Sequence, residues 1–254
     1  MINKYYEIIW FLKKIYYKIF LSETRLTGKL RNPYREYLFQ ELKEKYGKDY
    51  FENKRILEVG PKDGEDTLRL DSLSPSKLIL NDLEEIQQEN HPVNTFYKNN
   101  LLPNLEKVVS DYEFIFGNIN YLEKDEMKKL GKFDLIWFTG VIYHVPEQLR
   151  LLKKLYNLMN EKGVLVLETS TTRNQKIANH EAIEIVNNGA YFFPSRKGIV
   201  RLLELAGFVN ISKSNCYDKE NFNKKNIRLA LFAEKNIKDN EIYHREKYIF
   251  GEAT

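Results

Sequence analysis

Short apolar runs alternate with longer amphipathic stretches along most of the chain. Five runs read as strands in order: Arg55–Val59, Leu78–Asn81, Phe114–Phe116, Phe133–Phe138 and Val164–Glu168. Glycine, proline or polar residues bound them, the punctuation expected of strands. Helices are predicted between them. Tyr34–Tyr46 carries Tyr37, Leu38, Leu42 and Tyr46 on one side, with Gly47 as a stop. A short helix is predicted over Glu65–Asp71 and a polar one over Leu122–Leu130. Pro146 suits the first turn of the next, whose buried stripe is Leu149, Leu152, Leu155, Tyr156 and Met159. Ser195 can cap a helix that runs to Ala206 and stops at Gly207. Phe208–Ser212 and Ile227–Glu234 then add two strand-like runs, making seven.

Three regions break this rhythm. Residues 83–111 are expected to be helix and loop, interrupted by Pro92 and Pro103. Thr169–Pro194 holds no period and is expected to be a substrate loop with some helix around Glu181–Val186. Residues 5–20 predict an amphipathic helix, with Ile8, Leu12, Ile15 and Ile19 at helical spacing and Lys13, Lys14 and Lys18 at its edge. Such a helix can pack on the core, act as a lid, meet a membrane surface or meet a partner. The chain divides into an N-terminal helical lid or recruitment segment (1–49), a main domain (50–236) and a charged surface tail (237–254).

A length of 254 residues suits one α/β domain with a substantial core. Hydrophobic residues at 43% and charged residues at 30% exclude global disorder. Net charge is +4, but residues 1–35 hold eight Lys or Arg against Glu7 and Glu23, a local +6. That surface can attract phosphate, anionic lipid or an acidic partner. Cys216 is the single cysteine, so an internal disulfide and a cysteine-based zinc site are excluded. A reducing, cytoplasmic location is expected, with peripheral contact at the inner membrane surface as an option. There is no uninterrupted apolar stretch of membrane-spanning length and no small-residue cleavage site, so neither a transmembrane helix nor a signal peptide is expected. His91, His180 and His244 lack ligand spacing, and no metal site is assigned.

The candidate chemistry begins at Arg55–Ile56–Leu57–Glu58–Val59–Gly60–Pro61–Lys62–Asp63–Gly64. A buried strand ends in one glycine and a second follows four residues on, which reads as a sharp turn into a helix at a ligand site. Asp82 ends the next strand, 22 residues beyond Gly60. A carboxylate at that offset in a nucleotide-binding βαβ unit accepts from ribose hydroxyls. The full G-x-G-x-x-G fingerprint is absent, so an ordinary strand–turn–helix connection is the competing reading.

With the later motifs added, the chain resembles the class I S-adenosylmethionine-dependent methyltransferases. The matching pieces are Glu58–Gly64, Leu80–Asn81–Asp82, Gly117–Asn118–Ile119, Phe133–Ile136, Gly140–His144, Gly163–Glu168 and Gly207–Phe208. Gly140–Val141–Ile142–Tyr143–His144, Leu167–Glu168–Thr169 and Tyr191–Ser195 are similar to the transfer-RNA wobble-uridine carboxymethyltransferase group and its small-molecule relatives. Lys62 departs from the family, which has glycine there. The resemblance implies a Rossmann-like α/β fold: a seven-stranded sheet, mostly parallel with an antiparallel final strand, and helices on both faces. It implies S-adenosylmethionine as cofactor. Glu58, Gly60 and Gly64 would serve its methionine and ribose side, and Asp82 the ribose. Leu83, Asn118 and Ile119 would hold the adenine, with Thr139 and Gly140 lining the site.

Methyl transfer needs alignment of the nucleophile and management of its proton. His144, after the fourth strand, is the candidate base, since its ordinary pKa suits neutral pH; packing is the alternative role. Glu168 is the second catalytic candidate, either orienting a group or making a structural bond. Tyr143, Tyr191 and Phe192 are candidate walls of the acceptor pocket. Arg173 and Arg196 are candidate binders of an anionic group. The expected acceptor is a small polar or phosphorylated metabolite or an activated saccharide, methylated at oxygen. RNA modification, with more than a plain methyl transferred, and a non-catalytic cofactor-binding scaffold are the alternatives.

Overall fold

The computed structural model describes residues 33–47, 49–89, 91, 94–187, 189, 191–217 and 228–236. The amphipathic stretch at 5–20 and the charged tail at 237–254 lie outside the described residues. Helix α1 spans Pro33–Tyr46, strand β1 Arg55–Val59, α2 Glu65–Asp71 and β2 Lys77–Asp82. The interval after β2 holds a 3₁₀ turn at Glu84–Gln87. A helical stretch follows, π over Tyr97–Leu101 and α on either side. Then come β3 (Tyr112–Phe116), α3 (Lys124–Leu130), β4 (Phe133–Thr139), α4 (Gln148–Asn157) and β5 (Met159–Ser170). The chain continues through β6 (Ile183–Val186), β7 (Tyr191–Pro194), α5 (Arg196–Leu205), β8 (Phe208–Lys213) and β9 (Arg228–Lys235).

Seven strands form one sheet in the order β3-β2-β1-β4-β5-β9-β8. The first five are mutually parallel, and β9 runs antiparallel to both β5 and β8. The expected mixed, mostly parallel architecture is therefore observed. The apolar runs have a direct cause: the inner strands are covered on both faces. Along β1, β4 and β5 successive side chains enter opposite cores. Ile56, Leu135, Trp137, Val164 and Val166 join Leu38, Phe39 and Leu42 of α1 on one face. Leu57, Ile136, Phe138, Leu165 and Leu167 join Leu151, Leu152 and Leu155 of α4 and Ile199 and Leu203 of α5 on the other. Helix α1 thus shares a core with the sheet. From β1 the chain winds outward to β2 and β3, then returns to β4 on the other side. This reversal opens a crevice at the carboxyl ends of β1 and β4, where open α/β sheets bind ligands.

Three local expectations are corrected. Glu181–Val186 is not helical: Ile183–Val186 pairs antiparallel with Tyr191–Pro194 in a separate two-stranded sheet. Its β-branched and aromatic residues favour strands, and Asn187 and Gly189 take left-handed backbone in the turn, with φ of 54° and 89°. Met159 does not belong to the α4 stripe, because that helix ends at Asn157 and Met159 opens β5 opposite Phe133. Pro146 lies before the helix, which starts at Gln148 after Glu147 at its N-cap. Ser195 caps α5 as expected, its Oγ accepting from Gly198 N at 2.8 Å.

Candidate active site

The turn after β1 closes on itself tightly. Gly60 N donates to Asn81 O of β2 at 2.8 Å. Gly60 and Gly64 both have φ of 77°, which favours glycine. A Cβ at Gly60 would stand 2.6 Å from Val141 Cγ2, and one at Gly64 2.9 Å from Asn104 Cβ. Lys62 is also left-handed, with φ of 51°. That conformation explains the glycine usual there in the family. The Lys62 side chain points out and places Nζ 5.0 Å from the Phe96 ring centre.

Behind this turn lies Glu58, 2% exposed, with its Oε2 accepting from Thr67 Oγ1 at 2.6 Å. Burial pushes its carboxyl up to about 8, with Asp66 adding to the rise and the Thr67 hydroxyl opposing it. Asp82 ends β2 and accepts from Leu83 N at 2.8 Å. Burial pushes it up to about 6, against the Leu83 bond and nearby His91. Asn81 Nδ2 donates to Ile115 O and Gly117 O at 3.0 Å each, fastening the end of β3 beside Asp82. Asn118 is exposed and accepts from Asn120 N at 3.0 Å, while Ile119 is buried. Glu58, Gly60, Gly64, Asp82, Leu83, Asn118, Ile119, Thr139 and Gly140 therefore all cluster at the carboxyl ends of β1 to β4.

The other side of the crevice is built from β4, β5 and the small hairpin. His144 ends a 3₁₀ turn at Ile142–His144 that follows β4. It is exposed, but its ring centre lies 4.3 Å from Tyr143 and 5.2 Å from Tyr191. Partial desolvation of the ring by these aromatic neighbours, then the charge of Arg228, lowers its pKa below the usual histidine value. That shift favours the neutral imidazole, the form able to accept a proton. Tyr191 and Phe193 stack at 5.6 Å, and Phe193 lies 5.7 Å from Tyr143. Phe192 is opposite Ile185 in the hairpin and takes the other face. Phe193 stands in the wall where Phe192 was expected. Gln148 Nε2 ties this wall down, donating to Phe192 O at 2.6 Å and Ile142 O at 3.1 Å.

Glu168 is fully buried with both oxygens engaged. Oε2 accepts from Arg35 Nη2 at 3.2 Å. Oε1 accepts from Tyr217 Oη at 2.6 Å and pairs with Arg228 Nη2 at 2.6 Å. Arg35 Nη1 also donates to Asp66 Oδ2 at 2.6 Å and to Thr139 Oγ1. Arg228 Nη1 donates to Ser170 Oγ at 2.7 Å, and its guanidinium lies 5.8 Å from the Tyr143 ring centre. Sequence reading missed Arg35, Asp66, Tyr217 and Arg228. No spacing marks them, and a buried arginine looks like any surface arginine along the chain. Arg173 is exposed on the loop before the hairpin, without an ion pair among the described residues. Arg196 Nη2 donates to Arg228 O at 3.4 Å at the start of α5. Arg173 thus stands apart from the buried cluster, and Arg196 meets it at the Arg228 carbonyl. Among the described residues there is no group of potential metal ligands, and no helix is long and apolar enough to cross a membrane.

This sheet order, with a glycine turn after β1 and a carboxylate at the end of β2, is that of the class I S-adenosylmethionine-dependent methyltransferases. Residues 31–213 match the methyltransferase-domain family, to which the chain belongs. A tRNA U34 carboxymethyltransferase of Mannheimia succiniciproducens is 35% identical over 107 residues, 41% of this chain and 32% of that protein. One from Aliarcobacter butzleri is 30% identical over 161 residues, 62% of this chain and 43% of that protein. The chain thus spans less than half of the length of these relatives. Among solved structures, the N-terminal domain of EvdMO1 with bound SAH shares the fold at TM-score 0.55 and 17% identity, covering 82% of each chain. The 1,6-didemethyltoxoflavin-N1-methyltransferase of Burkholderia thailandensis does so at TM-score 0.55 and 14% identity, covering 89% of each.

S-adenosylmethionine is the cofactor that this fold implies, and the local chemistry fits it. The glycine turn leaves no room for side chains, and Asp82 offers a carboxylate acceptor. Asn120 Oδ1 is buried with no hydrogen-bond partner among the described residues, two positions past Asn118. That orphan is an acceptor suited to an amine or hydroxyl donor.

Proposed function

We propose that this chain methylates an oxygen of a small polar acceptor of the saccharide type. The observation that carries the reading is the aromatic wall of Tyr143, Tyr191 and Phe193 set around His144. Flat aromatic faces suit the apolar faces of a sugar-sized ring, and a few polar groups then fix its orientation. The structural neighbours support it by kind: one EvdMO1 structure was obtained in the presence of D-fucose. Arg173 and Arg196 are the proposed partners of a phosphate on the acceptor. Phe192, on the hairpin's other face, is left to support the wall from behind.

On the donor side we assign Asp82 to the ribose hydroxyls and Gly60, Gly64 and Glu58 to the methionine end. Leu83, Asn118 and Ile119 are assigned to the adenine. Thr139 is assigned a backbone role, because its hydroxyl is held by Arg35. Gly140 lines the floor. The sulfonium of the cofactor supplies an electrophilic methyl group. The protein's part is to align the acceptor oxygen and take its proton. His144 is the proposed base, within reach of a group resting on the aromatic wall. Glu168, with both oxygens engaged, is assigned to anchoring the floor.

Residues 1–32 are proposed to cover or recruit the acceptor. Arg35, in the first turn of α1, touches Glu168 and Thr139, so α1 begins beside the site. Arg35 is itself buried in ion pairs, which leaves the segment before it at +5. A cytoplasmic location with peripheral contact at an anionic membrane surface fits this charge. An RNA acceptor is the second reading, favoured by the named activity of the curated relatives.

The test is a panel of free sugars, nucleotide sugars, phosphorylated metabolites and transfer RNA with radiolabelled S-adenosylmethionine. Label entering a sugar class supports the proposal, and label entering only RNA refutes it. On the labelled acceptor, His144→Gln should lower turnover about 100-fold while donor affinity holds. Unchanged turnover and pH profile would remove His144 as the base.

A further inference from the structure

Arg35 is out of character for its helix. The other inward residues of α1, namely Leu38, Phe39 and Leu42, are apolar and pack on the sheet. Arg35 is 8% exposed, and its Nε is buried with no hydrogen-bond partner among the described residues. A buried charge with an unmet N–H is a poor way to add stability, since apolar side chains of similar size often do as well or better.

Its partners share a geometry. Asp66 lies in the first turn of α2, directly behind the glycine turn, and bonds at 2.6 Å. Thr139 ends β4, and Glu168 lies near the end of β5 at 3.2 Å. The first belongs to the wall formed where the chain leaves β1, and the other two to the wall formed by β4 and β5. These walls flank the switch-point crevice. Arg35 also lies against the floor, because a Cβ at Gly140 would stand 3.3 Å from its Nη2. A guanidinium is planar and holds its N–H groups in a fixed fork, so one side chain sets both distances together. An ammonium in the same space keeps the charge without fixing the geometry.

We propose that Arg35 is a positioning residue for the donor: its fork holds Asp66 against Thr139 and Glu168 and so sets the separation of the two walls between which S-adenosylmethionine lies. Helix α1 is then a working part of the transfer site, acting through Asp66 and Gly140. The inference rests on the reading that the donor occupies the switch-point crevice.

The structure supplies a reporter. Trp137 Nε1 donates to Asp66 Oδ2, the oxygen that Arg35 also holds, at 3.0 Å. The experiment titrates S-adenosylhomocysteine into the wild type, Arg35→Lys and Arg35→Met by calorimetry and by tryptophan emission, with thermal melts alongside. Arg35→Lys should keep the melting temperature close to wild type yet weaken binding roughly tenfold, a mid-range value for coupled neighbours. Its donor-induced change in emission should shrink with it. Arg35→Met should weaken binding at least as much. Wild-type affinity in either folded variant overturns the proposal, as does failure of both to fold, which would make Arg35 a stability residue. Absence of binding by the wild type itself overturns the donor reading first. That result is distinct from variants that bind normally.

Discussion

The proposed ribose contact of Asp82 would link donor recognition to pH, and the two consequences of replacing it have opposite signs. Its carboxyl is pushed from an ordinary 3.8 to about 6, chiefly by burial. A shift of that size is roughly 3 kcal/mol of discrimination against the ionised form. The folded state therefore holds this proton more tightly than the unfolded chain does. The stabilisation it brings is present below about pH 4 and is lost as pH rises through about 6. Asp82→Asn removes that loss, and its amide oxygen can keep the bond from Leu83 N. The variant should melt higher than wild type at pH 8. Donor binding should move the other way. Two ribose hydroxyls donate to a carboxylate, so the ionised form is the one that binds. Ionisation is nearly complete at pH 8 and about a tenth complete at pH 5 for a group that titrates near 6. Wild-type affinity should therefore fall about tenfold over that interval by linkage. Asp82→Asn should bind weakly at every pH, with loss of a charged acceptor costing about 1.5–3 kcal/mol, and its profile should be flatter. Calorimetric titration with S-adenosylhomocysteine at pH 5, 6, 7 and 8, with melts at each pH, measures both. A flat wild-type profile, or an equal slope in the variant, would falsify the assignment of Asp82 to the ribose.

Glu58, raised to about 8 by burial and Asp66, stabilises while protonated and loses that contribution as pH rises through about 8. The wild-type melting temperature should drop between pH 7 and pH 9, and Glu58→Gln should remove most of that drop. Gly60→Ala must place a Cβ 2.6 Å from Val141 Cγ2 at a φ of 77°. Strain of about 1–3 kcal/mol is expected, read as a lower melting temperature together with weaker donor binding; an alanine variant indistinguishable from wild type refutes the close approach. A chain beginning at Pro33 keeps α1, the sheet and Arg35. It should fold and bind donor but turn over its acceptor more slowly, and full activity would remove the proposed role of the first 32 residues. Binding of the whole chain to anionic vesicles or RNA at two salt concentrations tests the electrostatic part of that role.

The sequence determined the sheet strands because each inner strand buries both faces, which forces an apolar run. It determined the donor-side turn because a sharp exit from β1 requires glycine, and Lys62 stood out there for the same reason. The acceptor side was legible only in part. Tyr143, His144 and Tyr191 could be picked out, but the hairpin could not, so Phe192 was chosen where Phe193 faces the wall. The alternation that decides between neighbours exists only once β6 and β7 are paired. Of the buried charge cluster, Glu168 was picked out but its charged partners were not. Glu168 meets Arg35 from 133 residues away and Tyr217 from 49. Arg228 reaches it because β9 inserts antiparallel beside β5, placing Arg228 opposite Ser170 and Ala230 opposite Glu168. Hydrophobic periodicity records where apolar side chains are hidden. A charged side chain carries no such record, since its burial depends on a partner that long-range strand order alone brings into reach.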